Sequence, residues 1–170
     1  MNHPLEMRRI RRGKRERGVA TVEFALTAML FFTLIFGIMD FSYLCWGDLA
    51  MQHAVREGTR YAVTGRADLD PIPDGTAKDR CDAAIAAIKN QSMGFYDRAS
   101  PTIVFKTVDA ITGAITPVPG GSCAAAGQII IISVTCSLAP LTPFLKPFLA
   151  GGKWVFTVST TMKNEAFTGL

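Results

Sequence analysis

Apolar positions divide this chain into a helical front and a β-rich back. From 24 to 39 the sequence FALTAMLFFTLIFGIM carries no charge, and extending it back to Val19 adds Glu23 as the single charged residue. At ~1.5 Å per residue such a run crosses the roughly 30 Å hydrocarbon core of a bilayer. No proline lies between Pro4 and Pro71, so nothing in that interval has to break a helix. Past the run the pattern becomes amphipathic. Leu44, Met51, Val55 and Ala62 share one helix face, and Asp48, Gln52, Arg56 and Arg60 line another, with Glu57 placed to pair with Arg60 at i,i+3. This predicts one continuous helix from about 19 to about 63, stopped by Gly65. A membrane needs less, so the outer third has to lie against a folded domain or a neighbouring subunit.

A turn-rich link, DLDPIPDG at 68–75, precedes a second helix over 76–91 with Cys81, Ala84, Ile85 and Ile88 on one face. The β part opens at Ser100-Pro101. Segments 102–109 and 114–118 flank Thr112-Gly113 as a hairpin, and 119–127 is a small-residue loop. Alternation is strongest over 128–138, where Ile130, Ile132, Val134, Cys136 and Leu138 point one way and Ile131, Ser133, Thr135 and Ser137 the other. The stretch 139–152 contains three prolines and is no interior strand. Alternation resumes over 153–163, with Trp154, Phe156, Val158, Thr160 and Met162 on one side. The expected result is an antiparallel sheet of three or four strands with both helices on its apolar face.

Charge changes the picture at one end. The net charge is +4, but residues 1–18 hold seven arginines and lysines against Glu6 and Glu16, so the remainder is close to neutral. A basic cluster directly before an apolar span keeps 1–18 in the cytoplasm and exports the chain beyond Asp40. A cleaved secretory signal shares these features, but the run is long for one and DFSYLCWG offers no A-x-A site. Tyr43 and Trp46 suit the outer membrane–water boundary. The basic run lacks interleaved aromatics and abuts the span, which favours a topogenic leader over a nucleic-acid contact. Cys45 falls at the membrane edge; Cys81, Cys123 and Cys136 fall in the exported part, where disulfides persist. Cys81 with Cys123 is the first choice, because a Gly-Ala loop can adjust to meet the helix. Cys81 with Cys136 is the alternative, since both sit on core-facing stripes, and three buried thiols is the third reading. No metal or cofactor site, catalytic triad or paired-carboxylate pocket emerges, so the chain is not expected to be an enzyme.

The most informative segment is Gly18-Val19-Ala20-Thr21-Val22-Glu23-Phe24. A glycine closes the basic leader and a glutamate follows five residues later inside an apolar helix, where a carboxylate is costly unless it lies near the edge. By itself this equally suits a signal-anchor with a tolerated edge glutamate. The segment resembles a type IV prepilin processing site, cut after the glycine by a membrane aspartyl prepilin peptidase. More broadly, RGVATVEFALTAMLFFTLIFGIMDFSYL with AVREGTRYAV, and the tail IISVTCSLAPLTPFL, Gly-Gly, WVFTVSTTMKNE, resemble the TadE-like pseudopilins of the Flp (tight adherence) pilus machinery. The resemblance covers roughly 17–65 and 128–165 and leaves 66–127 unmatched.

The resemblance implies a pilin-like α+β chain. It has a basic cytoplasmic leader (1–18), a long N-terminal helix (19–64, transmembrane over about 19–40) and a periplasmic α+β domain (65–170). It also implies a minor pseudopilin that supports Flp-type pilus biogenesis from the bacterial inner membrane, with Gly18, Val19, Glu23 and Phe24 forming the processing site. The expected partners are the lipid bilayer, a prepilin peptidase, other pilins or pseudopilins and inner-membrane platform proteins, with no nucleic acid, small-molecule substrate or cofactor. Two other readings keep the same topology: a type II secretion minor pseudopilin, and an unprocessed membrane-anchored periplasmic binding module.

Overall fold

The structure, a computed structural model, describes residues 16–66, 68–69, 80–118 and 123–166, with side chains from Gly18 onward. Nearly all of the basic leader, most of the 68–75 link, the start of the second predicted helix at 76–79 and part of the 119–127 loop lie outside the described residues. The chain divides into two compact units, Met1–Met39 and Asp40–Leu170.

The described part of the first unit is helical throughout and belongs to α1 (Glu16–Val63). Its side chains are exposed around the whole circumference: Phe24 is 75% exposed, Leu30 74% and Leu34 62%. Apolar exposure on every side is what a helix shows when its surroundings are apolar too. Among the described residues, α1 is long and apolar enough to cross a membrane.

The second unit begins inside α1. Here Leu44, Met51, Val55 and Ala62, the face picked out by the heptad-like spacing, are all buried, together with Ala54. The outer part of the helix is therefore core of the second unit, which begins at Asp40. Glu57 and Arg60 make no ion pair; the polar stripe is instead tied by Gln52 Nε2 donating to Asp48 Oδ1 at 3.2 Å. Two glycines set how close the other elements come. A Cβ on Gly47 would meet Leu138 Cδ2 at 2.6 Å and the Phe95 ring at 3.0 Å; one on Gly58 would meet Ile88 Cγ1 at 2.2 Å. Neither distance admits a methyl group, so these two positions let backbone approach packed side chains.

The second helix is α2 (Arg80–Gln91), with Cys81, Ala84 and Ile88 buried as the periodicity required, and Ala83 and Ala87 buried beside them. A short helix, α3 (Phe95–Ala99), comes next, and no pattern in the sequence announced it. It is bracketed by left-handed Gly94 (φ 81°) and Ser100 (φ 44°) and seats Phe95, 3% exposed, against Tyr43 and Trp46. Ring centroids there are 5.5 and 5.3 Å apart.

The sheet contains β1 (Thr102–Val108), β2 (Ile115–Pro117), β3 (Ile129–Leu138) and β4 (Trp154–Lys163) in the order β2-β1-β3-β4, all antiparallel. β3 is central and obeys the alternation, with Ile130, Ile132, Val134, Cys136 and Leu138 each at most 1% exposed. β4 pairs with it over its whole length, from Ile129↔Lys163 to Leu138↔Trp154, and turns Phe156, Val158 and Met162 to the core. The proline-rich 139–152 stretch holds two 3-10 turns, Lys146–Phe148 and Ala150–Gly152, and no strand. The architecture is thus α+β: a long N-terminal apolar helix, further helices and a four-stranded antiparallel sheet.

Candidate functional site

The Gly18–Val19 peptide bond lies at the start of the described part of α1. Space around Gly18 is open, with no other group within 4 Å of where a Cβ would stand. Val19 is 59% and Phe24 75% exposed. Glu23 is exposed one turn beyond Val19, on the same side of the helix. Its backbone carbonyl accepts the Thr27 hydroxyl at 2.9 Å. No cation among the described residues pairs with the Glu23 side chain. The four motif residues thus form an exposed stretch of helix rather than a pocket.

At the other end of the apolar run stands Asp40, which the sequence marks only as the close of the span. It is fully buried. Oδ1 accepts the Thr142 N–H at 3.0 Å and Oδ2 accepts the Thr142 hydroxyl. Thr142 is 102 positions away in the chain, so the 139–152 stretch is clasped to α1 at the residue that directly follows Met39. Tyr43, in the next turn, receives a hydrogen bond from Arg98 Nη1 at 3.4 Å.

Cys81 and Cys123 are joined by a disulfide with Cα atoms 5.3 Å apart, and both are buried. Cys136 is a buried free thiol and Cys45 an exposed one. Cys136 faces the core as its stripe required, opposite Phe156, and burial, with Asp48 nearby, pushes its thiol up to about 11. The segment at Cys123 is held a second time. Arg80 Nη2 donates to Ala124 O at 2.6 Å, and Asn164 Nδ2 reaches Cys123 O at 3.0 Å and Ala125 O at 3.0 Å. The tail after β4 therefore closes on the disulfide.

Beyond α1, the Arg66 guanidinium and the Tyr61 hydroxyl both donate to Asp68, and they hold its carboxyl at about 2. This exposed link sits at the helix C-terminus and caps it as a local turn, with Leu69 N–H returning to Tyr61 Oη at 3.0 Å.

Comparison with curated proteins and with solved structures finds no match. Comparison with family models finds one, described as TadE-like protein, over residues 18–60. The matched segment starts at Gly18, contains the Val19–Glu23 turn and the whole apolar run, and ends in the part of α1 that packs in the core. Over residues 18–60, which include the whole apolar run, the chain is similar to TadE-like proteins, and the remainder lies outside the match.

Proposed function

We propose that this chain is a minor pseudopilin, a structural component of Flp (Tad) pilus assembly anchored in the bacterial inner membrane. Its leader faces the cytoplasm and its α+β domain the periplasm. The observation that carries this reading is the glutamate five residues after Gly18 in an otherwise apolar, exposed helix, within a segment whose TadE-like match begins at that glycine. Two features support the orientation. Arginines and lysines crowd the sequence before Gly18, which by the positive-inside rule stays in the cytoplasm. The Cys81–Cys123 disulfide belongs to an oxidising compartment.

The processing step is a peptide hydrolysis. A prepilin peptidase cleaves the Gly18–Val19 bond, adding water across it to leave a carboxylate on Gly18 and an amine on Val19. That amine, with a pKa of about 7.7–8.0, is largely protonated at neutral pH. Glu23 of an adjacent subunit neutralises it, and two charges paired at the edge of the apolar layer cost far less than either alone. Since the pair forms in one axial alignment, it sets the register between helices. The periplasmic sheet then meets pilus or platform proteins.

Mass spectrometry of the chain co-expressed with a prepilin peptidase tests this. The expected N-terminus is Val19, and Gly18→Val leaves the chain full length. Glu23→Val is inserted and cut but does not assemble. An uncut wild-type chain in the presence of active peptidase refutes the processing, and normal pili from Glu23→Val refute the register role.

A further inference from the structure

The clasp between Asp40 and Thr142 puts an unusual surface next to the end of the apolar run. Between β3 and β4 the chain exposes Leu141 (60%), Phe144 (47%) and Phe148 (77%), while Leu145 and Leu149 turn inward and pack on the core. Phe144 and Phe148 sit together, with ring centroids 6.0 Å apart. Trp154, 40% exposed, follows at the start of β4 and lines a small hollow with Phe41, Leu44, Cys45 and Asp48 of α1. Lys146 and Lys153 are exposed among these residues, and no acidic residue occurs from 139 to 164. A monomeric soluble surface seldom carries so many exposed aromatics together.

We infer that the 141–154 segment is a second membrane contact, with its aromatic side chains seated in the outer headgroup layer and its lysines against lipid phosphates. The Asp40 clasp gives the position. Asp40 immediately follows the last apolar residue of the span, and both of its side-chain oxygens are held by Thr142. The segment is therefore fixed within about one helical turn of where the hydrocarbon ends. Its chemistry agrees: the segment itself carries aromatic and basic side chains and no acid, the composition that membrane–water interfaces select, and Asp48 of α1 is the acid beside it. The opposite end of the sheet supplies a contrast. β3 runs ten residues from Leu138, beside α1, to Ile129, next to the β1–β2 hairpin. At ~3.3 Å per residue the hairpin tip lies roughly 30 Å from the segment along the strands. Ile111 at that tip is 95% exposed but has no aromatic or basic neighbours in its turn, DAITGA.

The inference rests on the membrane-anchor reading of α1, and the test separates the two. The full chain with Cys45→Ser receives one added cysteine, Phe148→Cys, Phe144→Cys or Ile111→Cys. Each is labelled with an environment-sensitive fluorophore and reconstituted into vesicles of phosphatidylcholine and phosphatidylglycerol. Nitroxide lipids labelled at a shallow depth are present in both leaflets, so the sense of insertion does not matter. Cys136 is buried and Cys81 is bonded to Cys123, so neither takes the label. The expected result is blue-shifted emission and nitroxide quenching at 148 and 144, and water-like, unquenched emission at 111. Chain that floats with the vesicles but emits at 148 as it does at 111 overturns the inference and leaves the anchor standing. A blue shift at 148 without quenching shows coverage by protein, such as a second copy, and also overturns it. Chain that does not float with vesicles overturns both.

Discussion

Replacing Gly58 by alanine tests how the domain is built around α1. Two effects oppose each other. Alanine in a helix interior is favoured over glycine by about 1 kcal/mol. The new methyl, however, would stand 2.2 Å from Ile88 Cγ1 and 3.1 Å from both Ile88 Cδ1 and the Ala84 carbonyl oxygen. Ile88 is fully buried, and the carbonyl belongs to the α2 backbone, so neither neighbour can step aside alone. Overpacking of this kind costs ~1–3 kcal/mol, and a contact this short against a helix backbone belongs at or above the upper end. The expected net loss is about 2 kcal/mol or more despite the gain in propensity. Ile88→Ala alone removes buried volume and costs ~2–5 kcal/mol. In the double variant the two changes compensate, so the combined loss falls short of the sum by ~1 kcal/mol or more. The measurement is denaturant unfolding of the full chain in detergent, followed by near-ultraviolet circular dichroism. Trp46, edge-on to Phe95 in the same domain, reports native packing. A Gly58→Ala chain as stable as wild type, or strict additivity with Ile88→Ala, would show that α2 does not rest on Gly58.

Other perturbations give further expectations. Asp40→Ala strips two donors of Thr142 of their acceptor, and a loss of ~2–4 kcal/mol with faster proteolysis of 139–152 is expected; unchanged cleavage would mean that the clasp does not hold this stretch. Cys81→Ala with Cys123→Ala opens a loop of sequence separation 42, for which the chain-entropy relation gives a loss of about 4 kcal/mol. Thiol counting in denaturant without reductant should find two free cysteines in the wild-type chain, and a count of four contradicts the bridge. Burial favours the neutral form of Cys136, so iodoacetamide at pH 8 should alkylate exposed Cys45 and spare Cys136 in the native chain. Because this thiol is raised from 9.0 to about 11, its stabilising contribution is complete below pH 9 and lost as the pH rises through 11; equal labelling of both cysteines refutes the burial.

How much of this was legible in the sequence depended on the distance over which each element is decided. α1 and β3 bury one face along their packed length, so the periods of 3.6 and 2 survive in the residue order, and Leu44, Met51 and Val55 or Ile130, Ile132 and Val134 could be read directly. That β3 and β4 are separate strands followed from two alternating runs divided by a proline-rich stretch that cannot be a strand, while their pairing came from the structure. α3 could not be read, because five residues complete little more than one turn and its exit uses Ser100 at positive φ without a glycine to mark it. The role of Asp40 was hidden for another reason: its partner is 102 residues away, and a charged residue at the end of an apolar run has an adequate local explanation already. Gly47 and Gly58 carried no signal either, since what they accommodate, Leu138, Phe95 and Ile88, is chosen by tertiary packing alone. The cysteines were legible in part. Cys123, the first choice, and Cys136 were both open as partners of Cys81, and the Arg80 and Asn164 hydrogen bonds hold the Cys123 segment where it meets Cys81.

The link from Glu165 N–H to Val63 O, 3.1 Å long, joins the last turn of the first helix to the residues after the final strand. Synthesis reaches the helix early, yet its buried face finds Leu138 and the closing tail only after about a hundred further residues have emerged. Until then Leu44, Met51 and Val55 have no permanent cover, and contacts so far apart along the chain form slowly. The nascent chain thus passes through a sticky interval that lasts at least until elongation and transport have delivered the closing strands. A holding chaperone, or an early escort from a fellow subunit, would shorten the time spent there, and ribosome-stalled chains ending before 129 should aggregate where those reaching 166 do not.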